Sequence, residues 1–173
     1  TIALILAICK RVPESDRFIR AGKYESWGPL MFLGMELNGK TLGIIGLGRI
    51  GASVAEHASR GLGMRVVYND VSRNEQFEKD LGAAFMSIDE VLKTADVISL
   101  HVPLLPETRH LIDARRIDLM KPTAYIVNTS RGAIVDERML VAALKIKRIA
   151  GAALDVYENE PKLAPGLAKL DNV

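Results

Sequence analysis

The sequence predicts an α/β domain built on a doubly wound parallel sheet with helices on both faces. Short, wholly apolar runs alternate with amphipathic stretches over most of the chain. Runs without an inner and outer alternation suit strands covered on both sides, and strand–helix alternation suits parallel pairing. The first run also ends in a glycine cluster that opens a helical pattern, a strand-to-helix junction that such sheets use for ligands. Composition agrees: 173 residues, 49% hydrophobic and 25% charged, make a globular chain that buries roughly two thirds of its unfolded surface.

Residues 1–22 read as helical, with Ile2, Leu4, Ile5, Ile8 and Val12 on one side and Pro13 starting a second helix through Arg20. Residues 21–39, with Gly22, Gly28, Pro29, Gly34, Gly39 and the single Trp27, read as a long connection. The division expected from this is a helical arm and linker over 1–37 and the sheet domain over 38–173. Thr41–Ile45 is the first strand, Ile50–Leu62 a helix and Met64–Tyr68 the second strand. A short helix over 74–81 and a weak strand over Ala83–Met86 follow. Ser87 and Glu90 form a capping box for a helix over Ile88–Thr94. Val97–Val102 is a strand, Arg115–Met120 a helix and Ala124–Val127 a strand. Asp136 caps a helix reaching Lys145, and Ile149–Leu154 is the last strand.

Charge and cysteine usage narrow the function classes. Lys+Arg 23 against Asp+Glu 21 leaves a net charge of +2. With no basic run, neither nucleic acid nor a membrane surface is an expected partner. The apolar stretch Ile2–Cys9 is too short to span a bilayer and lacks a basic segment before it. A lone cysteine, Cys9, excludes an internal disulfide and a cysteine-built zinc site. No metal site is assigned, and a reducing, cytoplasmic location is expected. Thr1 opens inside a helical pattern, and Leu170-Asp171-Asn172-Val173 reads as a turn entering a strand. The chain is therefore expected to be a piece of a longer protein.

Gly46-Leu47-Gly48-Arg49-Ile50-Gly51 fits G-x-G-x-x-G in the strand-to-helix context that the motif requires. Gly46 permits the tight turn, Gly48 the approach of a pyrophosphate, and Gly51 close helix packing. Phosphates then meet free amide groups at the positive end of the helix. Asp70, 19 residues past Gly51 at the end of the second strand, can accept hydrogen bonds from ribose hydroxyls and repel a 2′-phosphate. The cofactor expected is NAD rather than NADP, a preference that the nearby Arg73 weakens slightly. Gly34-Met35-Glu36-Leu37-Asn38-Gly39-Lys40-Thr41 matches the phosphate-loop pattern letter for letter. A strand rather than a helix follows it, so its physical requirement fails and Asn38-Gly39 reads as a turn.

Arg131, Asp155 and Glu160 fall at or just after successive strand ends, the edge where open parallel sheets bind ligands. A guanidinium at that edge can grip a carboxylate and polarise a carbonyl. Glu158 reads as a solvated charge. His57 lies within a helix, His110 on the surface, and His101 at a strand end, where lining the crevice is favoured over acid catalysis.

Four segments together resemble the nucleotide-binding domain of the D-isomer-specific 2-hydroxyacid dehydrogenases, closest to the glyoxylate/hydroxypyruvate reductase and phosphoglycerate dehydrogenase branch. They are Gly39 to Gly51, His101-Val102-Pro103-Leu104, Asn128-Thr129-Ser130-Arg131-Gly132, and Leu154-Asp155-Val156-Tyr157-Glu158-Asn159-Glu160-Pro161. The resemblance covers essentially the whole chain and implies a Rossmann fold and NAD-dependent reduction of a small 2-oxo acid. It implies two catalytic residues: Arg131, binding the 2-oxo acid, and Glu160, raising the pKa of a catalytic His. It places Gly46, Gly48, Arg49, Ile50, Gly51, Asp70 and Thr129 along the cofactor, Pro103 at its adenosine side and Asp155 at the nicotinamide amide. The family's His lies in a Thr-Pro-His segment soon after the equivalent of Val173, and its second domain is built from both chain ends, so both are expected outside these residues. Residues 1–12 would be the interdomain helix, on a surface the family uses to form homodimers. The family usually has Gly where Lys147 stands, which costs about 1 kcal/mol if the left-handed turn is kept.

Two other readings remain open at this point. A corepressor of the same fold would bind NAD(H) to control assembly, and NADH-dependent capture of a partner would support it. A methyltransferase would bind S-adenosylmethionine at a similar loop. The glycine spacing and the Arg131/Glu160 pair argue against it, and tight binding of that ligand without NADH binding would favour it.

Overall fold

A computed structural model describes residues 1–173. Its strands are β1 (Thr41–Ile45), β2 (Arg65–Asn69), β3 (Ala84–Phe85), β4 (Val97–Leu100), β5 (Tyr125–Asn128) and β6 (Gly151–Leu154). They form one 6-stranded sheet in the order β3-β2-β1-β4-β5-β6, and every pair is parallel. The chain moves outward from β1 to β3 and then returns to the far side of β1 with β4. That reversal opens a crevice at the carboxyl ends of β1 and β4.

Strand periodicity sorts the apolar side chains into two cores. Leu42, Ile44, Val66, Tyr68, Val97 and Val127 face one layer, while Ile45, Val67, Ile98, Leu100 and Ile126 face the other. The first layer holds α1 (Ile2–Cys9) and α3 (Arg49–Leu62), through Ile5, Cys9, Val54, Ala55 and Ala58. The second holds α5 (Ile88–Thr94), α6 (Ala114–Ile117) and α7 (Glu137–Lys145), through Val91, Leu92, Ile117, Leu140 and Leu144. Because both faces are covered, each position of β1 and β4 is buried. This is why those runs are mostly apolar, with Thr41 and Ser99 as their polar members.

The remaining helices are α2 (Val12–Arg20) and α4 (Glu75–Leu81). Pro13 sits at the start of α2. The capping box of α5 is complete, and Asp136 caps α7 by accepting the Met139 N–H. Asn74 is the cap of α4 rather than part of it. Lys40-Thr41 runs into β1, as the failed phosphate-loop context requires. Lys147 does hold a left-handed backbone, with φ +56. No helix is long and apolar enough to cross a membrane.

Some boundaries differ from expectation. Helix α6 covers Ala114–Ile117 instead of Arg115–Met120: Asp113 caps its start by accepting the Arg116 N–H, and beyond Ile117 the Leu119 and Met120 N–H groups turn to the Arg116 and Ile117 carbonyls. Strand β4 stops at Leu100, and His101 makes one further bond, to the Ile45 carbonyl, before the chain turns away. Two 3₁₀ turns, Gly132–Ile134 and Leu167–Lys169, were not foreseen. Asn172 lies beside β6, its carbonyl accepting the Ala152 N–H at 3.0 Å.

Candidate active site

The glycine loop is shaped by contact on one side and space on the other. Gly46 has φ +96, and a Cβ there would stand 2.7–2.9 Å from the backbone of His101 and Val102. A Cβ on Gly51 would stand 2.1 Å from the Gly46 carbonyl oxygen, so α3 rests directly on the loop. Gly48 differs: no atom lies within 4 Å of where its Cβ would be. It precedes α3, which starts without a side-chain cap, and Arg49 and Ile50 are exposed on the first turn. The space above Gly48 and the uncapped amide groups fit a phosphate.

Asp70 closes the neighbouring wall. Its carboxylate accepts the Leu47 N–H at 2.5 Å and the Val71 N–H at 2.6 Å. It therefore fixes the glycine loop and keeps lone pairs for a further donor. Arg73 is not turned towards this site. It makes a bidentate pair with Glu78, with contacts from 2.7 Å, so the cation that qualified the NAD preference is already engaged. An open groove of about 710 Å³ runs along α3, lined by Thr1, Arg49, Ile50, Ser53 and His57. A second cavity of about 660 Å³, lined by Arg11, Tyr125 and Lys145 among others, lies at the amino ends of β5 and β6, away from the crevice.

At the end of β4, Nε2 of His101 bonds Ser99 Oγ at 2.8 Å, and Ser99 is fully buried. Burial pushes the imidazole down to about 4. His101 is therefore neutral at pH 7, at the carboxyl end of β4. Pro103 is exposed just beyond it, its carbonyl accepting the Thr108 hydroxyl at 2.7 Å.

The loop after β5 is organised by Asn128, which is 1% exposed. Its Oδ1 accepts the Ser130 N–H and hydroxyl, and its Nδ2 donates to the Arg131 carbonyl at 2.9 Å. Thr129 Oγ1 lies 2.8 Å from Thr1 Oγ1, tying the start of α1 to this edge. The Arg131 side chain is exposed and donates to the Ser130 carbonyl at 2.7 Å. Gly132 then brings two loops together: a Cβ there would lie 1.9 Å from the Tyr157 carbonyl carbon. The loops after β5 and β6 thus touch backbone to backbone. In the second of them, Asp155 is exposed and its N–H donates to the Asn128 carbonyl. Glu160 closes a turn by accepting the Tyr157 N–H at 2.9 Å, and the Glu160–Pro161 peptide bond is cis.

Glu158 is not the solvated charge expected from sequence. Its side chain is 13% exposed and accepts from His110 Nε2 at 2.6 Å and Arg109 Nη2 at 3.3 Å. His110 is half-buried by the same contact. Beneath the turn, Glu137 is 3% exposed and accepts the Glu158 N–H at 2.7 Å. Burial pushes its carboxyl above the ordinary carboxylate range, opposed by that amide and by the Ala164 amide and reinforced by the charges of Glu158 and Glu160. Sequence reading gave Asn128 and Gly132 no role beyond their place in a segment, put His110 on the surface and did not single out Glu137. Only Asn128 carried a local signal, an Asn placed to fold a turn onto its own backbone.

Comparison with known proteins identifies the family and the fold. The family profile described as D-isomer specific 2-hydroxyacid dehydrogenase, NAD binding domain, matches residues 2–173. A glyoxylate reductase from Thermococcus onnurineus is 49% identical over 174 residues, covering 98% of this chain and 52% of that protein. One from Aeropyrum pernix is 52% identical over 165 residues, covering 93% of this chain and 49% of that protein. The crystal structure of D-lactate dehydrogenase from Aquifex aeolicus, complexed with NAD and lactic acid, superposes with a TM-score of 0.88 at 38% identity. It covers 100% of this chain and 56% of that one. The chain spans about half the length of the curated relatives it matches. The match over residues 2–173, with the strand order and the crevice, shows that this chain belongs to the D-isomer-specific 2-hydroxyacid dehydrogenases, as their NAD-binding domain.

Proposed function

We propose that this chain is the NAD-binding half of a two-domain oxidoreductase that reduces a small 2-oxo acid, of the glyoxylate or hydroxypyruvate class, to its D-2-hydroxy acid. The observation that carries the reading is the contact at Gly132. It sets the loops bearing Arg131 and Glu160 side by side, at the sheet edge that also carries the glycine loop. Gly46, Gly48, Arg49, Ile50 and Gly51 hold the pyrophosphate, and Asp70 takes the adenosine ribose hydroxyls. Pro103 flanks the adenosine, Thr129 lines the cofactor, and Asp155 holds the nicotinamide amide. With Arg73 paired to Glu78, nothing beside Asp70 offsets its repulsion of a 2′-phosphate, and NAD is the preferred form. The bound dihydronicotinamide supplies the hydride.

Arg131 fixes the substrate carboxylate and stabilises negative charge developing on the carbonyl oxygen. Glu160 keeps a His from the second domain protonated, so that it can give its proton to that oxygen. Side-chain selectivity among 2-oxo acids belongs to the second domain. Residues 1–37 form the interdomain and dimer arm of residues 38–173. Support comes from α2, which buries no residue, and from the exposed Trp27, Leu30 and Leu33 that follow it. The expected setting is the cytoplasm, where Cys9, buried with its thiol pushed up to about 12, stays reduced.

The test is reduction of glyoxylate and hydroxypyruvate by NADH, using residues 1–173 alone and the same chain joined to its second domain. Turnover is expected only from the second. Rapid turnover by residues 1–173 would make His101 the proton donor and overturn the assignment.

A further inference from the structure

The turn carrying Glu160 is held from two sides. On its backbone, the Glu158 N–H donates to Glu137 Oε1 at 2.7 Å. On its side chain, Glu158 Oε1 accepts from His110 Nε2 at 2.6 Å and from Arg109 Nη2 at 3.3 Å. Asp136 Oδ2 stands 3.8 Å from the other His110 nitrogen. Within the turn itself, Tyr157 N–H reaches Glu160 Oε1 at 2.9 Å. Loops after β4 and β6 and the start of α7 thus meet at one cluster.

Glu137 is the unusual member. It is 3% exposed, and its Oε2 is enclosed with no hydrogen-bond partner. An enclosed carboxyl oxygen without a donor carries a desolvation cost that an apolar side chain of similar size would avoid. Helix α7 does not need this group for capping, because Asp136 already accepts the Met139 N–H. What Glu137 does instead is receive the Glu158 amide, two residues before Glu160, with the Ala164 amide of the following loop also facing its carboxyl.

We infer that Glu137 is a positioning residue for the proton-transfer step: it sets the height of the Tyr157–Glu160 turn, and so the reach of Glu160 towards the histidine. This inference rests on the role proposed above for Glu160. It assigns Glu137 no contact with substrate or cofactor, since it acts only through the turn. His110 and Arg109 hold the same turn laterally.

The experiment uses the full two-domain enzyme with Glu137→Ala, Glu137→Gln and Glu160→Gln, following kcat/KM for glyoxylate against pH and the Kd for NADH. Glu137→Ala should lower kcat/KM roughly 10- to 100-fold, the scale of an ångström-sized misplacement. It should also move the fall-off at high pH downward, in the same direction as Glu160→Gln, because a histidine without its carboxylate loses its proton sooner. NADH affinity should stay within about twofold, the cofactor residues being untouched. Glu137→Gln keeps an acceptor oxygen for the Glu158 amide and should restore most of the activity. A folded Glu137→Ala enzyme with the wild-type pH profile, alongside a shifted Glu160→Gln profile, would overturn the inference and leave the role of Glu160 standing. An unshifted Glu160→Gln profile would overturn both. If Glu137→Ala does not fold, hydrogen exchange at the Glu158 amide of the wild-type enzyme decides. Strong protection is expected, and exchange as fast as in a free loop would overturn the proposal.

Discussion

Replacing Gly132 with alanine tests the contact that brings the two catalytic loops together. The added methyl would lie 1.9 Å from the Tyr157 carbonyl carbon, 2.0 Å from its oxygen and 2.4 Å from the Glu158 nitrogen. All three are backbone atoms, so no side chain can rotate out of the way. Restoring ordinary contact near 3.4 Å requires the loops to part by roughly 1.5 Å. Overpacking of this kind costs about 2 kcal/mol, which lowers Tm by about 4–8 °C in a domain of this size. In the full enzyme the same displacement separates Arg131 from Glu160 and should lower kcat by about 100-fold. The glycine loop and Asp70 lie beyond the shift, and the NADH Kd should change by less than about threefold. Thermal unfolding, calorimetry and steady-state kinetics on the one variant measure all three. A Gly132→Ala enzyme with wild-type Tm and kcat would refute the reasoning, because the contact would then carry neither stability nor alignment.

Asp70→Asn removes the charge beside the glycine loop. It should weaken NADH binding by roughly 10- to 100-fold while narrowing the gap to NADPH, as parallel titrations would show. Lys147 occupies a left-handed position with φ +56. Lys147→Gly should therefore raise stability by about 1 kcal/mol in denaturant unfolding, without altering NADH affinity. Asp89 is held by Arg115 and Arg116, whose hydrogen bonds lower its pKa from 3.8 to about 2. Because the folded value is the lower one, its stabilisation is present above pH 4 and fades as pH falls towards 2. An Asp89→Asn variant should be less stable than wild type at pH 6 and equal to it near pH 2. A constant difference across that range would contradict the assignment.

The sheet was legible because its signals are local. Thr41–Ile45 is buried at every position because α3 and α5 cover both its faces, and the glycines behind it reflect contacts only a few residues away in sequence. Asp70 could be read because strand length fixes where it emerges. What was missed depends on contacts between segments distant in sequence. Glu158 read as a surface charge because nothing beside it in sequence announces His110, which lies 48 residues away. Glu137 drew no reading of its own, since its partner amide belongs to another loop. The 3₁₀ turn at Gly132–Ile134 has no periodicity of its own. It is held by pairing of Ile112 with Val135 and by the Gly132 contact with Tyr157. Helix α6 ended at Ile117 because the chain tightens there, the Leu119 and Met120 N–H groups turning to the Arg116 and Ile117 carbonyls, while its apolar pattern continued through Leu119 and Met120.

Calorimetric titration of residues 1–173 with NADH, and with NADPH in parallel, bears most directly on the central claim. The account predicts saturable binding of NADH at one site, with NADPH clearly weaker because Asp70 faces the position of its 2′-phosphate. A folded, monodisperse sample that binds neither nucleotide would contradict it.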